Sequence, residues 1–195
     1  MMNVTIIGVG YVGLVTGTCL SSLGHNVTII ETIQEKVEKI NSGHSPIYEE
    51  GLDELLPQHI GKNLTASTSY DAVKESDVIF IAVGTPPNED GSANLCYIQS
   101  AAEMIASALC EKHTAYPIIV VKSTVPPMTT QNVVSAIILE KCPELNFGCC
   151  MNPEFLREGK AVSDFLNPDR IIIGSTEEKP LPSCRNCMQN WRRLR

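Results

Sequence analysis

A chain of 195 residues, 43% of them hydrophobic, has room for one domain with at most an appendage, and for a sizeable core. Its net charge of −7 argues against a nucleic-acid or anionic-membrane surface, and it has no run of about eighteen apolar residues that could span a bilayer. The chain enters a strand directly, with no basic n-region and no small-residue cleavage site, so a soluble cytoplasmic protein is expected.

The first strand is Asn3-Val4-Thr5-Ile6-Ile7, and Leu14 to Leu23 reads as a helix. Between them lies Gly8-Val9-Gly10-Tyr11-Val12-Gly13, the strand-to-helix context that a dinucleotide-binding turn requires. In this reading Gly8 permits the tight turn, Gly10 lets backbone approach a pyrophosphate, and Gly13 lets the helix lie close to the strand. Asn26 to Ile30 is a second strand, ending at Glu31. Glu31 lies eighteen residues after Gly13, near the spacing of about 20 expected for an acid that binds ribose hydroxyls. A carboxylate there favours NAD over NADP, because it repels a 2′-phosphate. Lys36, on the helix that follows, stands near the expected adenosine edge or is simply solvated.

Ile33 to Ile40 is helical, Ser42 to Pro46 breaks it, and Leu52 to Leu56 is a short helix stopped by Pro57. Leu64 to Ser69 is a strand, and Asp71 to Glu75 is a short polar helix. Val78 to Val83 is apolar throughout, as parallel strands covered on both faces are. Gly84-Thr85-Pro86-Pro87 ends it. Tyr97 to Cys110 carries Ile98, Ala101, Ala102, Ile105, Ala106 and Leu109 at helical spacing. Ile118 to Val121 is a buried strand leading into Lys122-Ser123-Thr124-Val125-Pro126. Gln131 to Leu139 is helical, Phe147 to Met151 is a strand ended by Asn152-Pro153, Glu154 to Val162 mixes turn and helix, and Ile171 to Ile173 is a last short strand. Strands alternating with helices predict an α/β fold, a doubly wound, mostly parallel Rossmann-type sheet in a single domain. Ligands bind beyond the carboxyl ends of such strands, where the glycine turn, Glu31, Thr85, Thr124 and Glu154 all fall.

Eight cysteines are many for a cytoplasmic chain. Cys19, Cys110, Cys149 and Cys150 fall in apolar patterns and read as core thiols. Cys184 and Cys187 have metal-ligand spacing but no second pair or histidine nearby, so no metal site is expected.

Six segments in order resemble the UDP-glucose/GDP-mannose dehydrogenase family: GVGYVGLVTG, Glu31 with Lys36, NSGHSPIYEEGLDELL, VGTPPNEDGSANL, KSTVP and NPEFLREGKAVSDFLNPDRIIIG. The resemblance covers residues 3 to about 175. It implies oxidation of the C6 alcohol of a nucleotide sugar to a carboxylate, with two NAD reduced. UDP-glucose is the implied substrate, with GDP-mannose, an N-acetylated UDP-sugar or a non-catalytic NAD-binding module as alternatives. It carries cofactor contacts onto the glycine turn with Tyr11 and Val12, and onto Glu31, Lys36, Thr85, Thr124 and Glu158. Glu31 replaces a common aspartate. Substrate contacts fall on Glu154, Phe155, Leu156, Arg157 and Glu158, and catalytic roles on Thr124, Glu154 and Glu158, with Thr124 and Glu154 placed around a water near C6.

Two departures stand out. Pro127-Met128 replaces a usual Val-Gly pair. After Thr176 the chain becomes PLPSCRNCMQNWRRLR, which is basic at Arg185, Arg192, Arg193 and Arg195. Residues 1–176 therefore read as the NAD-binding domain and 177–195 as a divergent tail, from truncation or frameshift. The resemblance places the family's catalytic lysine, asparagine and cysteine nucleophile, and its dimer helix, in a part not matched here. This chain is thus expected to bind NAD without sustained turnover.

Overall fold

The computed structural model describes residues 1–112, 114 and 116–189. Its elements are β1 (Asn3–Ile7), α1 (Tyr11–Ser22), β2 (Asn26–Ile30), α2 (Gln34–Asn41), α3 (Leu52–His59), β3 (Leu64–Ser67), β4 (Val78–Ile81), α4 (Cys96–Glu111), β5 (Ile118–Val121), α5 (Ala136–Lys141), β6 (Gly148–Met151), α6 (Ala161–Leu166) and α7 (Leu181–Gln189). A 3-10 turn spans Asp71–Glu75, and a π-helical stretch over Thr130–Ser135 runs into α5.

All six strands are parallel, in the order β3-β2-β1-β4-β5-β6. The chain works outward from β1 in one direction, then returns to place β4 on its other side. The junction of β1 and β4 is therefore the topological switch point, the crevice where doubly wound sheets bind ligands.

Residue types explain the two layers. Val4, Val78 and Ile118 share a register row and a face, as do Ile6, Phe80 and Val120. They pack with α1, α3, α6 and α7. The alternate residues Ile7, Ile79, Ile81, Ile119 and Val121 pack with α4 and α5 on the other side. Strands covered on both faces have no polar side to show, hence the unbroken β-branched runs. On α4 the face predicted from spacing, Ile98 through Leu109, is buried.

Four local expectations change. Pro57 lies inside α3 rather than ending it. Pro57 and the residue four before it, Asp53, are both exposed, so the missing N–H costs one hydrogen bond on the water side. Ile171 to Ile173 is not a strand. Only Gly174 pairs, in a single antiparallel bridge to Met151, while the Ile172 carbonyl accepts from Asn152 Nδ2 at 2.7 Å. The helix expected from Gln131 opens as a π-turn. Cys110 is not a core thiol: it is exposed near the end of α4 and forms a disulfide with Cys142 at the end of α5.

Beyond Thr176, α7 packs Cys184, Cys187 and Met188 into the main core. Arg185 is exposed, and Arg192, Arg193 and Arg195 lie outside the described residues. No helix among the described residues is long and apolar enough to cross a membrane.

Candidate functional site

The glycine turn has the shape its residues predict. Gly8 has φ +103°, and a Cβ on it would meet the Ala82 carbonyl oxygen at 2.8 Å. A Cβ on Gly13 would lie 2.0 Å from the Gly8 oxygen, so no other residue fits. Around Gly10 the space is open, with no atom within 4 Å of a built Cβ. Gly10 caps α1, and no side chain caps the helix. The first N–H groups of a twelve-residue helix thus face open space beside β1, with the positive end of the dipole behind them. This cradle fits a pyrophosphate.

One strand over, Glu31 is fixed in place. Its Oε1 accepts from Thr32 N at 2.8 Å, Ile33 N at 3.1 Å and Thr32 Oγ1 at 3.1 Å. Its Oε2 lies 3.7 Å from Lys36 Nζ. The structure therefore brings Glu31 and Lys36 together, with one carboxylate oxygen aimed away from the backbone.

On the other side of the switch point, Thr85 follows β4 and Thr124 follows β5. Thr85 Oγ1 donates to the Thr124 carbonyl at 2.8 Å. Next to them, after β6, Glu154 Oε2 accepts from Leu156 N at 2.6 Å, which folds the Glu154–Glu158 segment back at the strand end. Tyr11 reaches this segment from the glycine turn: its hydroxyl donates to the Arg157 carbonyl at 2.7 Å. Burial and the neighbouring Glu49 carboxylate push the Tyr11 phenol above its usual range. The Arg157 guanidinium is committed to Asp164, donating from Nε at 3.0 Å and from one terminal nitrogen at 2.7 Å. Phe155 and Glu158 are exposed, and Arg170 lies 5.4 Å from the Phe155 ring centre.

The predicted residues therefore line one sheet edge in the order Glu31, glycine turn, Thr85, Thr124, Glu154. From β2 to β6 that row spans roughly 19 Å, four strand spacings of about 4.8 Å. At its β6 end opens a cleft of about 440 Å³ lined by Lys122, Asn152, Glu154, Phe155 and Arg170, among others.

Two residues of this edge, Glu49 and Lys122, were not picked out by sequence reasoning, and a third, Asn152, was placed there only as part of its strand end. Glu49, 2% exposed, accepts from Gly159 N at 2.8 Å and Ala161 N at 2.7 Å, holding the far end of the Glu154–Glu158 segment. Lys122 is buried and donates to Asn152 Oδ1 at 3.0 Å. All three lie inside or beside the quoted motifs, but only tertiary packing buries them.

Cys184 and Cys187 are buried, and burial pushes the Cys187 thiol up to about 12. Among the described residues no group of three or more His, Cys, Asp or Glu side chains is placed to hold a metal ion.

Residues 2–192 match the model of the UDP-glucose/GDP-mannose dehydrogenase family, NAD binding domain. The chain is 44% identical over 181 residues to a UDP-glucose 6-dehydrogenase of Bacillus subtilis, covering 91% of this chain and 40% of that one. It superposes with a TM-score of 0.92 on a GDP-mannose dehydrogenase of Pseudomonas aeruginosa, at 38% identity, covering 99% of this chain and 44% of that one. The TM-score is also 0.92 for a UDP-glucose dehydrogenase of Pyrobaculum islandicum, at 39% identity, covering 96% and 44%. The chain thus spans about two fifths of the length of these relatives. With residues 2–192 matched, the chain belongs to the UDP-glucose/GDP-mannose dehydrogenase family, of which it is an NAD-binding domain.

Proposed function

We propose that this chain is the cofactor-binding part of a UDP-glucose 6-dehydrogenase. One observation carries the reading: Thr85, Thr124 and the Glu154–Glu158 segment stand at three successive strand ends beside the glycine turn. A dinucleotide laid from Glu31 across the turn has its far end beside Thr124 and the cleft.

In this proposal the amides opening α1 bind the pyrophosphate, Glu31 binds the adenosine ribose hydroxyls, and NAD supplies the hydride acceptor. Each oxidation removes one hydride and one proton from the sugar. Thr124 holds a water near C6, and Glu154 accepts the proton through it. Glu158 and the turn from Phe155 to Arg157 contact the nucleotide sugar, Arg157 through its backbone because Asp164 holds its guanidinium. No cysteine lines the cleft among the described residues. The thiol needed for the second oxidation is assigned to the part of the family outside this match, and the chain by itself binds NAD without sustained turnover. Dimerisation is likewise assigned to that part. The boundary proposed after Thr176 rests on the change in sequence character, and beyond it α7 packs into the main core.

UDP-glucose is preferred because the Bacillus subtilis relative carries that activity in its name, although the GDP-mannose dehydrogenase superposes equally well. Calorimetry with NAD, and NADH absorbance with UDP-glucose, GDP-mannose and UDP-N-acetylmannosamine, test the proposal. Absence of NAD binding at millimolar concentration defeats the cofactor site. Sustained NADH formation by the chain alone defeats the proposal that it binds NAD without turnover. A supplied remainder of the enzyme that restores activity on mixing separates it from a non-catalytic NAD-binding module.

A further inference from the structure

Lys122 follows β5 directly and is 3% exposed, yet little in the protein balances its charge. Its Nζ donates to Asn152 Oδ1 at 3.0 Å and stands 5.9 Å from the centre of the Phe165 ring. Among the described residues no carboxylate lies within ion-pair distance of it. Glu154, after β6, acts on it from farther away, and the Cys184 thiol of α7 is the other titratable group that acts on it. An ammonium carries three donors, and a buried cation without a full set of partners is costly.

The same side chain lines the 440 Å³ cleft. Two other cations at that cleft are already engaged: Arg157 is paired with Asp164, and Arg170 lies over Phe155. Lys122 is also held in place. Asn152 Nδ2 is anchored on the Ile172 carbonyl at 2.7 Å, which turns its Oδ1 toward Nζ. A buried ammonium with donors to spare, fixed in the wall of an open cleft, is suited to an anionic oxygen of a ligand.

We infer that Lys122 is a further binding residue of the proposed reaction, donating to the C6 oxygens of the nucleotide sugar and favouring them as a carboxylate. This rests on the reading of the sheet edge as a nucleotide-sugar site, with Thr124 two residues away and Glu154 on the same cleft. Oxidation at C6 turns a neutral alcohol into an anion, so the group that faces it gains attraction as the reaction proceeds. Burial holds the Lys122 ammonium down to about 8, against the raising effect of Glu154. An anion bound to it raises that value.

The test is a lysine-labelled carbon NMR titration of the full chain, with the Lys122 signal assigned by its loss in Lys122→Met. The expected midpoint is about 8 without ligand. UDP-glucuronate is expected to raise it by about one unit, the equivalent of about tenfold tighter binding to the charged form, and UDP-glucose by much less. By calorimetry Lys122→Met is expected to lose about tenfold in UDP-glucuronate affinity while its NAD affinity stays at the wild-type value, which also reports that it is folded. A wild-type chain that binds UDP-glucuronate with the Lys122 midpoint unmoved overturns the inference, as does an equal response to UDP-glucose. Should Lys122→Met fail to fold, Lys122→Arg, which also removes the labelled lysine, assigns the signal in its place and the wild-type titration decides. A wild-type chain that binds NAD but neither nucleotide sugar defeats the reading of the site and the inference with it.

Discussion

Thr85 Oγ1 donates to the carbonyl of Thr124 at 2.8 Å, joining the loop after β4 to the loop after β5 on the carboxyl edge of the sheet. The loop after β4 borders the switch point and the loop after β5 lies beyond it, so this bond braces the β4 side of the crevice where the dinucleotide is proposed to lie. Thr85→Val keeps the shape and removes the donor. A net loss of about 1 kcal/mol for such a bond corresponds to about fivefold in affinity. NAD affinity measured by calorimetry is expected to weaken by that order, and Thr85→Ser to retain most of it. Equal affinities for all three chains would mean that the bond does not shape the cofactor site.

In the proposed cofactor site, Glu31 and Lys36 are the residues placed to choose between NAD and NADP. The carboxylate is held by two backbone N–H groups and leaves Oε2 toward Lys36 at 3.7 Å. Lys36 is exposed enough that this pair contributes less than about 1 kcal/mol. The main role proposed for Glu31 is then to accept from ribose hydroxyls, at about 1.5–3 kcal/mol for a bond to a charged group. Glu31→Ser removes the acceptor and frees Lys36 to meet a 2′-phosphate. The ratio of NAD to NADP dissociation constants is expected to move toward NADP by at least about tenfold. An unchanged ratio would falsify the assignment of Glu31 to the adenosine ribose.

The buried carboxylate of Glu49 closes the opposite end of the site, accepting from Gly159 N and Ala161 N. Glu49→Gln presents an amide that donates where an acceptor is needed, leaving one buried N–H unsatisfied at a cost of about 1–3 kcal/mol. Thermal unfolding is expected to shift down by several degrees, roughly 2–12 °C for a domain near this size. The clamp is not a stabilising feature if the melting temperature is unchanged.

The fold was legible where local pattern and tertiary role agree. The β-branched runs of β1, β2, β4 and β5 are buried on both faces, so hydrophobicity alone marks them. The glycine turn was legible because backbone geometry dictates it: Gly13 cannot carry a Cβ against the Gly8 carbonyl. Ile171 to Ile173 has the same composition as a strand but offers its Ile172 carbonyl to a side chain and not to a ladder, which no local pattern reveals. Glu49 and Lys122 were missed for a related reason, and Asn152 was legible only as part of its strand end. A glutamate or lysine in a sequence is by default a surface charge. Only the approach of residues 49 and 159, or 122 and 152, makes it a buried anchor. Arg157 was legible as part of the segment, but its capture by Asp164 was not.

The disulfide between Cys110 and Cys142 joins the ends of α4 and α5, and the loop it closes contains β5 and Thr124. With a sequence separation of 32, chain entropy gives it about 3–4 kcal/mol of stabilisation in the cross-link model. The remaining six cysteines are free thiols. Titration of the denatured, unreduced chain is expected to count six thiols, rising to all eight of the sequence after reduction. Reduction is also expected to lower the melting temperature. Eight thiols before reduction would show that the bond does not form in solution.

His25 makes the stability of the α7 contact depend on pH. Met2 N–H donates to its Nδ1 at 3.2 Å, so the ring proton sits on Nε2, which faces the Cys187 carbonyl at 3.0 Å. That neutral tautomer satisfies both partners, whereas a doubly protonated ring would set N–H against N–H at Met2. Burial accordingly lowers the His25 pKa in the folded chain. As pH falls the unfolded chain takes up the proton first, at about 6.5. The contribution of the neutral ring is therefore complete above about pH 6.5 and is lost as pH drops through the lowered folded value. The melting temperature of the wild-type chain is expected to hold steady between about pH 7 and 8 and to decline below 6.5. In His25→Asn the amide oxygen can still accept from Met2, but nothing at that position titrates. The variant is expected to melt lower at pH 7.5 and to lose less than the wild type between pH 7 and 5.5. Parallel curves for the two chains would place the acid sensitivity at other groups.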